Sequence, residues 1–272
     1  MSFIIFILAI IAGASLGRFM VHVIQNLPPI LLDDDNQEKM PRDLIDTFTY
    51  TTSCTSCKHS LNYIESLPII GYLFMSGKCP VCHASPMPLR DYLVTCGVSL
   101  LFGLTVIFFP VTLATFFVLL TSCLLICCYF TDLDHRILPN EFTLSLVWIG
   151  LIGSLAPVFI TSNEAIIGAV FGYGMFWLIN ELYRYFRQLN GMFPGDFKLN
   201  AGIGACLGIH WLIPTLIIAL FFIIICTLGE LLWNKKLHDT SDLHKELAYS
   251  CYVSIVAIVA LYLKLYLSIV ET

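Results

Sequence analysis

Long apolar runs separated by short polar islands organise this chain of 272 residues. The runs lie at about 3–25, 91–109, 111–130, 141–160, 164–183, 198–212, 213–233 and 246–268. Most reach the ~20 residues that a helix needs to cross a bilayer, and the sixth is the shortest. The first run has no basic residues ahead of it, and Ala12-Gly13-Ala14 is followed by more apolar chain. It therefore reads as an uncleaved first span rather than a signal peptide. Gly13 and Gly17, with Ala12, Ala14 and Ser15, read as a helix-packing face in preference to a substrate groove. Ala201-Gly202-Ile203-Gly204-Ala205 has a glycine-rich look, but no strand precedes it. Close helix packing is a better reading of it than a nucleotide-phosphate loop.

Composition agrees with the pattern. A hydrophobic share of 58% with only 12% charged residues, and a mean hydropathy of +0.84, exclude an ordinary soluble globular protein. The net charge of −5 decides little, because acidic residues hardly affect topology, whereas the placement of Lys and Arg does. With the N-terminus outside, the inner loops are 26–90, 131–140, 184–197 and 234–245. Together with Lys198 they hold every basic residue except Arg18 and Lys264, which fall within runs. The expected fold is thus an all-α polytopic membrane protein of about eight transmembrane helices. A first helix at 1–25 leads into a small cytoplasmic domain at 26–90, and seven helices follow in 91–272.

Two polar islands carry the chemistry. The first is Thr131-Asp132-Leu133-Asp134-His135-Arg136-Ile137-Leu138-Pro139-Asn140, between the third and fourth runs. The second is Phe193-Pro194-Gly195-Asp196-Phe197-Lys198, at the next break returning to the same side. A carboxylate at the edge of hydrocarbon loses hydration, so a chain keeps one there mainly for capture, relay or catalysis. Two such acids suit amide hydrolysis, in which an ionised carboxylate deprotonates water and a protonated one polarises the carbonyl. Close approach enforces that split, because two like charges in a low-dielectric site do not both ionise cheaply. Asp132 and Asp196 are the candidate pair. Asp134, two residues on, is expected to point elsewhere, and Lys198 is expected to pair with Asp196 and favour its ionised form.

The segment 26–90 carries Cys54-x-x-Cys57 and Cys79-x-x-Cys82, with 21 residues between the inner cysteines. Each knuckle offers two thiolates from one tight turn, which suits tetrahedral zinc. A reducing cytoplasmic side argues against stable disulfides there. A metal would also support a segment too small to build a large core. His59 and His83 stand beside the knuckles as alternative ligands, and the other seven cysteines fall in apolar runs as packing residues. The acidic run Asp33-Asp34-Asp35 reads as solvated loop, and the apolar stretch Leu67 to Leu73 reads either as module core or as a membrane-surface segment.

The joint pattern of Asp132-Leu133-Asp134-His135-Arg136-Ile137-Leu138-Pro139-Asn140 and Gly195-Asp196-Phe197-Lys198-Leu199 resembles the paired motifs of the type IV prepilin peptidases. The resemblance extends to Gly17-Arg18-Phe19, Val23-Ile24 and Leu27-Pro28, and to the two cysteine knuckles with Gly77-Lys78 before Cys79. It implies that Asp132 and Asp196 are the catalytic aspartates of a membrane aspartic protease, and that Cys54, Cys57, Cys79 and Cys82 are the four cysteines of the cytoplasmic domain. The implied reaction removes the leader of type IV prepilins or pseudopilins after a Gly, on the cytoplasmic side of the bacterial inner membrane. In many members, N-methylation of the new N-terminus by S-adenosylmethionine follows. Two positions depart from the pattern. Phe193 stands where the family usually has the first Gly of Gly-x-Gly-Asp, and Val21-His22 stand near the family's usual Asn. No residue set here identifies a methyl-donor site.

Membrane lipid and a prepilin or pseudopilin are the expected partners; nucleic acid is not, and a homo-oligomer is open. Two rival functions make different demands. A membrane thiol oxidoreductase using the CxxC pairs would show them outside, whereas the basic residues put them inside. A proton-coupled transporter relaying through Asp132 and Asp196 would hold its acids near the bilayer midplane, whereas these sit at the ends of runs.

Overall fold

A computed structural model describes residues 2–32, 57, 81–82, 89–155, 160–188, 192–237 and 249–270. These residues form helices and connecting turns with no strand: α1 Ser2–Leu32, α2 Leu89–Phe108, α3 Leu113–His135, α4 Asn140–Leu155, α5 Ser162–Arg187, α6 Pro194–Leu207, α7 Ile209–Leu237 and α8 Tyr249–Val270. Six of them are long and apolar enough to cross a membrane: α1, α2, α3, α5, α7 and α8. The other two expected spans are shorter helices, α4 with 16 residues and α6 with 14. Cys54, Cys79, His59, His83, Asp33 to Asp35 and the stretch from Leu67 to Leu73 lie outside the described residues.

Local chemistry fixes several boundaries. At the start of α5, Glu164 N–H donates to Thr161 Oγ1 and Thr161 N–H donates to Glu164 Oε2, so two otherwise orphaned backbone donors are satisfied. Pro194 opens α6 at the position where a missing N–H costs nothing. The sequence divides the sixth and seventh runs between Leu212 and Ile213, and the structure moves that break to Gly208. Gly208 has φ 75, a conformation that glycine alone adopts freely, and Pro214 is carried inside α7 instead of starting it. The first polar island is also partly helical, since Asp132 to His135 form the last turn of α3.

The contacts divide the chain into two compact units, Met1–Thr115 and Phe116–Thr272. In the first, α1 lies along α2. A Cβ on Gly13 would meet Ser99 Cα at 2.9 Å and one on Gly17 would meet Thr95 Cα at 3.1 Å, so the glycine face is a packing face. Ser99 Oγ donates to Ile10 O and Gln25 Nε2 donates to Asp91 Oδ2 across the same pair.

In the second unit α6 is the central element. It packs along α4 and α5, and every residue from Leu199 to Leu207 is buried. The backbones of Gly168 and Gly204 touch, so that a Cβ on either would fall on the other's carbonyl oxygen. In hydrocarbon no hydrophobic force draws helices together, and small residues let backbones approach closely enough for dispersion and polar contacts to do so. At the far end, Lys264 Nζ of α8 donates to Leu207 O at 2.9 Å, which satisfies a terminal carbonyl of α6 with a cation.

Candidate active site

Asp132 and Asp196 come from helix ends and line one cavity of about 240 Å³ in the second unit, together with Arg136, Phe193, Gly195 and Tyr249. Asp132 sits on the last turn of α3 and is only 8% exposed. Its Oδ2 accepts Ser250 N–H from the first turn of α8 at 3.2 Å, and Cys251 Sγ lies 3.9 Å from the same oxygen. The first turn of a helix holds N–H groups with no partner inside the helix, and this carboxylate satisfies one of those of α8.

Asp196 is the third residue of α6 and is equally buried. Its Oδ2 accepts Phe193 N–H at 3.3 Å, closing the turn into the helix. The preceding loop is tied down where Met192 N–H donates to Asn180 Oδ1. Below the acid, Asn200 Nδ2 donates to Asp196 O at 2.8 Å, and Tyr249 OH donates to Asn200 Oδ1 at 3.2 Å. The start of α8 thus reaches both acids, one directly and one through Asn200. Burial pushes the Asp196 carboxyl up to about 7, the Asp132 carboxylate adds to the shift, and the Phe193 N–H opposes it. One charged and one neutral carboxyl in one cavity is the condition that two-carboxylate amide hydrolysis requires.

Asp134 is exposed and does not line the cavity, as the sequence suggests. Lys198 is a correction. Its Nζ donates to Asn140 Oδ1 at 2.6 Å and makes no ion pair with Asp196, because the polar turn after α3 offers the nearer oxygen. Phe193 has φ −83 and ψ 150, ordinary extended backbone that any residue adopts, so a side chain in place of Gly there strains nothing. Cys251 is a second correction, since it touches the Asp132 carboxylate as well as filling a helix interface. Of the four knuckle cysteines, Cys57 is exposed and Cys82 half-buried, while Cys54 and Cys79 are outside the described residues. Among the described residues no cluster of three or more metal-ligating side chains occurs.

Sequence reasoning missed Asn200, Tyr249 and Ser250, and read Arg136 only as a topology marker. A lone Asn inside an apolar run was the available signal for the first. Nothing local marks the other two, whose roles arise when α8 folds back over α3 and α6.

The model of the type IV leader peptidase family matches residues 118–228, and that of the bacterial peptidase A24 N-terminal domain matches residues 11–109. A protein named prepilin leader peptidase/N-methyltransferase from Neisseria gonorrhoeae is 33% identical over 220 residues, covering 77% of this chain and 76% of that one. The chain belongs to the type IV leader peptidase family. Proteins of the same name from Aeromonas hydrophila and Pseudomonas aeruginosa are 30% identical over 273 residues and 31% identical over 238. The first alignment spans 94% of this chain and 90% of the relative, the second 84% and 80%. No solved structure gives a significant match. Membership makes the chain an enzyme of a protease family and, with six spanning-length helices, a multi-pass membrane protein. The two family matches part at 109 and 118, on either side of the division between the two compact units.

Proposed function

We propose that this chain is an aspartic endopeptidase that cuts the leader from type IV prepilins or pseudopilins at the cytoplasmic face of the bacterial inner membrane. The observation that carries this reading is the meeting of Asp132 and Asp196 in one small cavity, with Asp196 held up to about 7. Asp132, facing the amide of Ser250, is the base: it takes a proton from water as the oxygen attacks the scissile carbonyl carbon. Asp196 is the acid and gives its proton to the carbonyl oxygen, so that a neutral tetrahedral diol forms. Asp132 then gives the proton it took to the amide nitrogen while Asp196 takes one from a diol hydroxyl, and the C–N bond breaks. The leader leaves with a new carboxyl terminus and the pilin with a new amino terminus, and both acids return to their starting states. The cytoplasmic side rests on the distribution of Lys and Arg, and the inner membrane on the resemblance to the prepilin peptidases.

The test is cleavage of a full-length prepilin by Asp132→Asn and Asp196→Asn proteins in the same lipid. Each is expected to lose about 10³-fold or more in rate while inserting normally, and Asp134→Asn far less. Near-normal cleavage by either of the first two variants would overturn the assignment.

The cysteine set fits a structural zinc, since four thiolates in two CxxC turns complete a tetrahedral site without an open position. Cys54, Cys57, Cys79 and Cys82 would hold it and so order the cytoplasmic segment, with no part in peptide cleavage. Elemental analysis of purified protein is expected to give about one zinc per chain, released when the four are changed to Ser. Protein without metal, or retention after all four changes, would refute it. The relatives' names carry a second activity, N-methylation, with S-adenosylmethionine as the methyl donor. The described residues supply no donor set that identifies its site. Transfer of labelled methyl from S-adenosylmethionine to the trimmed pilin, measured on the purified enzyme, tests whether this chain has it.

A further inference from the structure

The cavity holds one polar group that neither acid uses. Arg136 follows the end of α3, and its N–H donates to Asp132 O at 3.0 Å. Its φ of 57 is in the left-handed region, which a residue with a Cβ seldom enters. That turn brings its side chain to the wall of the cavity lined by Asp132 and Asp196. Yet Arg136 makes no ion pair with either acid among the described residues, and its Nη1 is buried without a hydrogen-bond partner there. A guanidinium at a cavity wall with no carboxylate partner keeps N–H donors unmatched, so the site has room for an acceptor that a bound substrate brings.

The chemistry of the cavity selects that acceptor. A substrate carboxylate would face two acids already in place. A peptide carbonyl carries no charge, is present along every peptide substrate, and suits the apolar walls supplied by Ile137, Leu138 and Phe193. The scissile oxygen itself is served by Asp196. We propose that Arg136 is a substrate-binding residue whose guanidinium, at the cavity wall, donates to a backbone carbonyl oxygen of the leader beside the scissile bond, holding that bond over the two aspartates. This rests on the aspartic reading above.

Initial rates of prepilin cleavage across substrate concentration, in one lipid, test it for Arg136→Ala and Arg136→Lys. Arg136→Ala is expected to raise KM about 10-fold or more with kcat within about threefold, since a charged donor lost from a bound peptide removes binding common to ground and transition states. Arg136→Lys is expected to fall between, and added guanidinium ion to restore part of the Arg136→Ala rate where methylammonium does not. A binding measurement separates this from folding and from chemistry: the affinity of intact prepilin for Asp132→Asn is compared with that for Asp132→Asn/Arg136→Ala. The double variant is expected to bind about 10-fold more weakly. Equal affinity of the two, or a loss confined to kcat with a displaced pH profile, would overturn the proposal and leave Arg136 as a charge acting on the acids. If instead Asp132→Asn cleaves at the normal rate, the aspartic reading fails, and the KM comparison in the otherwise unaltered enzyme still decides the role of Arg136.

Discussion

The α1–α2 seam of the first unit and the α5–α6 seam of the second are both built on glycine, yet Gly17 of the first and the Gly168–Gly204 pair of the second tolerate change differently. On α1, a Cβ at Gly17 would meet Thr95 Cα at 3.1 Å and the Thr95 and Val98 side chains at 3.2 Å, distances that a shift of a few tenths of an ångström relieves. At Gly168 and Gly204 the obstruction is the carbonyl oxygen of the facing helix, and neither backbone can move without the other. The first seam holds two helices together. The second fixes the position of a helix that carries Asp196 at one end and accepts Lys264 at the other. A catalytic carboxyl gains from such rigid support, because misplacement by an ångström is enough to lose much of the rate.

The largest effect should come from breaking the α5–α6 seam. Gly204→Val places its side chain on the Gly168 carbonyl, and overpacking of this kind costs about 1–3 kcal/mol or more. Unfolding of purified protein in mixed micelles should show that loss, with cleavage activity falling alongside it. Gly17→Ala should lose less than about 1 kcal/mol. Equal losses at the two positions would dissolve the contrast between the seams.

The next largest concerns pH. In the proposed mechanism Asp196, raised to about 7 mainly by burial, acts as the acid only while protonated. Raising pH through about 7 removes that proton, so kcat should fall there by about tenfold per unit. A rate that stays level from pH 5 to pH 9, a range spanning roughly two units either side of that value, would exclude the pair as acid and base.

Ser250 offers a smaller and sharper test. Ser250→Pro deletes the N–H that reaches Asp132, and proline is tolerated in the first turn of a helix. Cleavage should drop about 10-fold, the scale of a hydrogen bond to a charged group, with folding retained. Ser250→Ala keeps the N–H and should cleave at the normal rate. If the two variants behave alike, the amide of α8 has no part in holding the base.

What the sequence could and could not reveal follows from the kind of information each feature carries. Apolar run length is a local property, so the all-helical character and the six runs of spanning length among the described residues were legible, as were two acids stranded at run ends. Small residues spaced for close approach announced the packing of α6. Contacts across the fold leave no such trace. Ser250 reaches Asp132 over 118 positions, and no periodicity connects them. The break at Gly208 has no extended polar island to mark it, so the sequence placed it further on, between Leu212 and Ile213. Lys198 was misjudged for the same reason, since closeness in sequence to Asp196 suggested a partner that the folded chain supplies from the turn after α3.

That misjudgement gives the smallest expected effect. Were Lys198 paired with Asp196, replacing it would remove a stabilised anion and displace a limb of the pH profile upward. In the structure the half-buried lysine has its Nζ engaged by Asn140 Oδ1 at 2.6 Å, and that hydrogen bond is exposed, so water and salt screen what charge interaction survives. Lys198→Met should therefore leave the pH at which activity falls in place and change the rate by no more than about threefold, through a looser turn between α3 and α4. Asn140→Ala should have the same small effect, and the two changes together should do no more than either alone, since both break one hydrogen bond. The measurement is the pH dependence of initial cleavage rate for the two single variants and the double, at matched protein in the same lipid. A clear upward displacement for Lys198→Met alone would return the lysine to Asp196. It would also place the charge balance of the cavity on a surface cation, and not on burial and the neighbouring carboxylate.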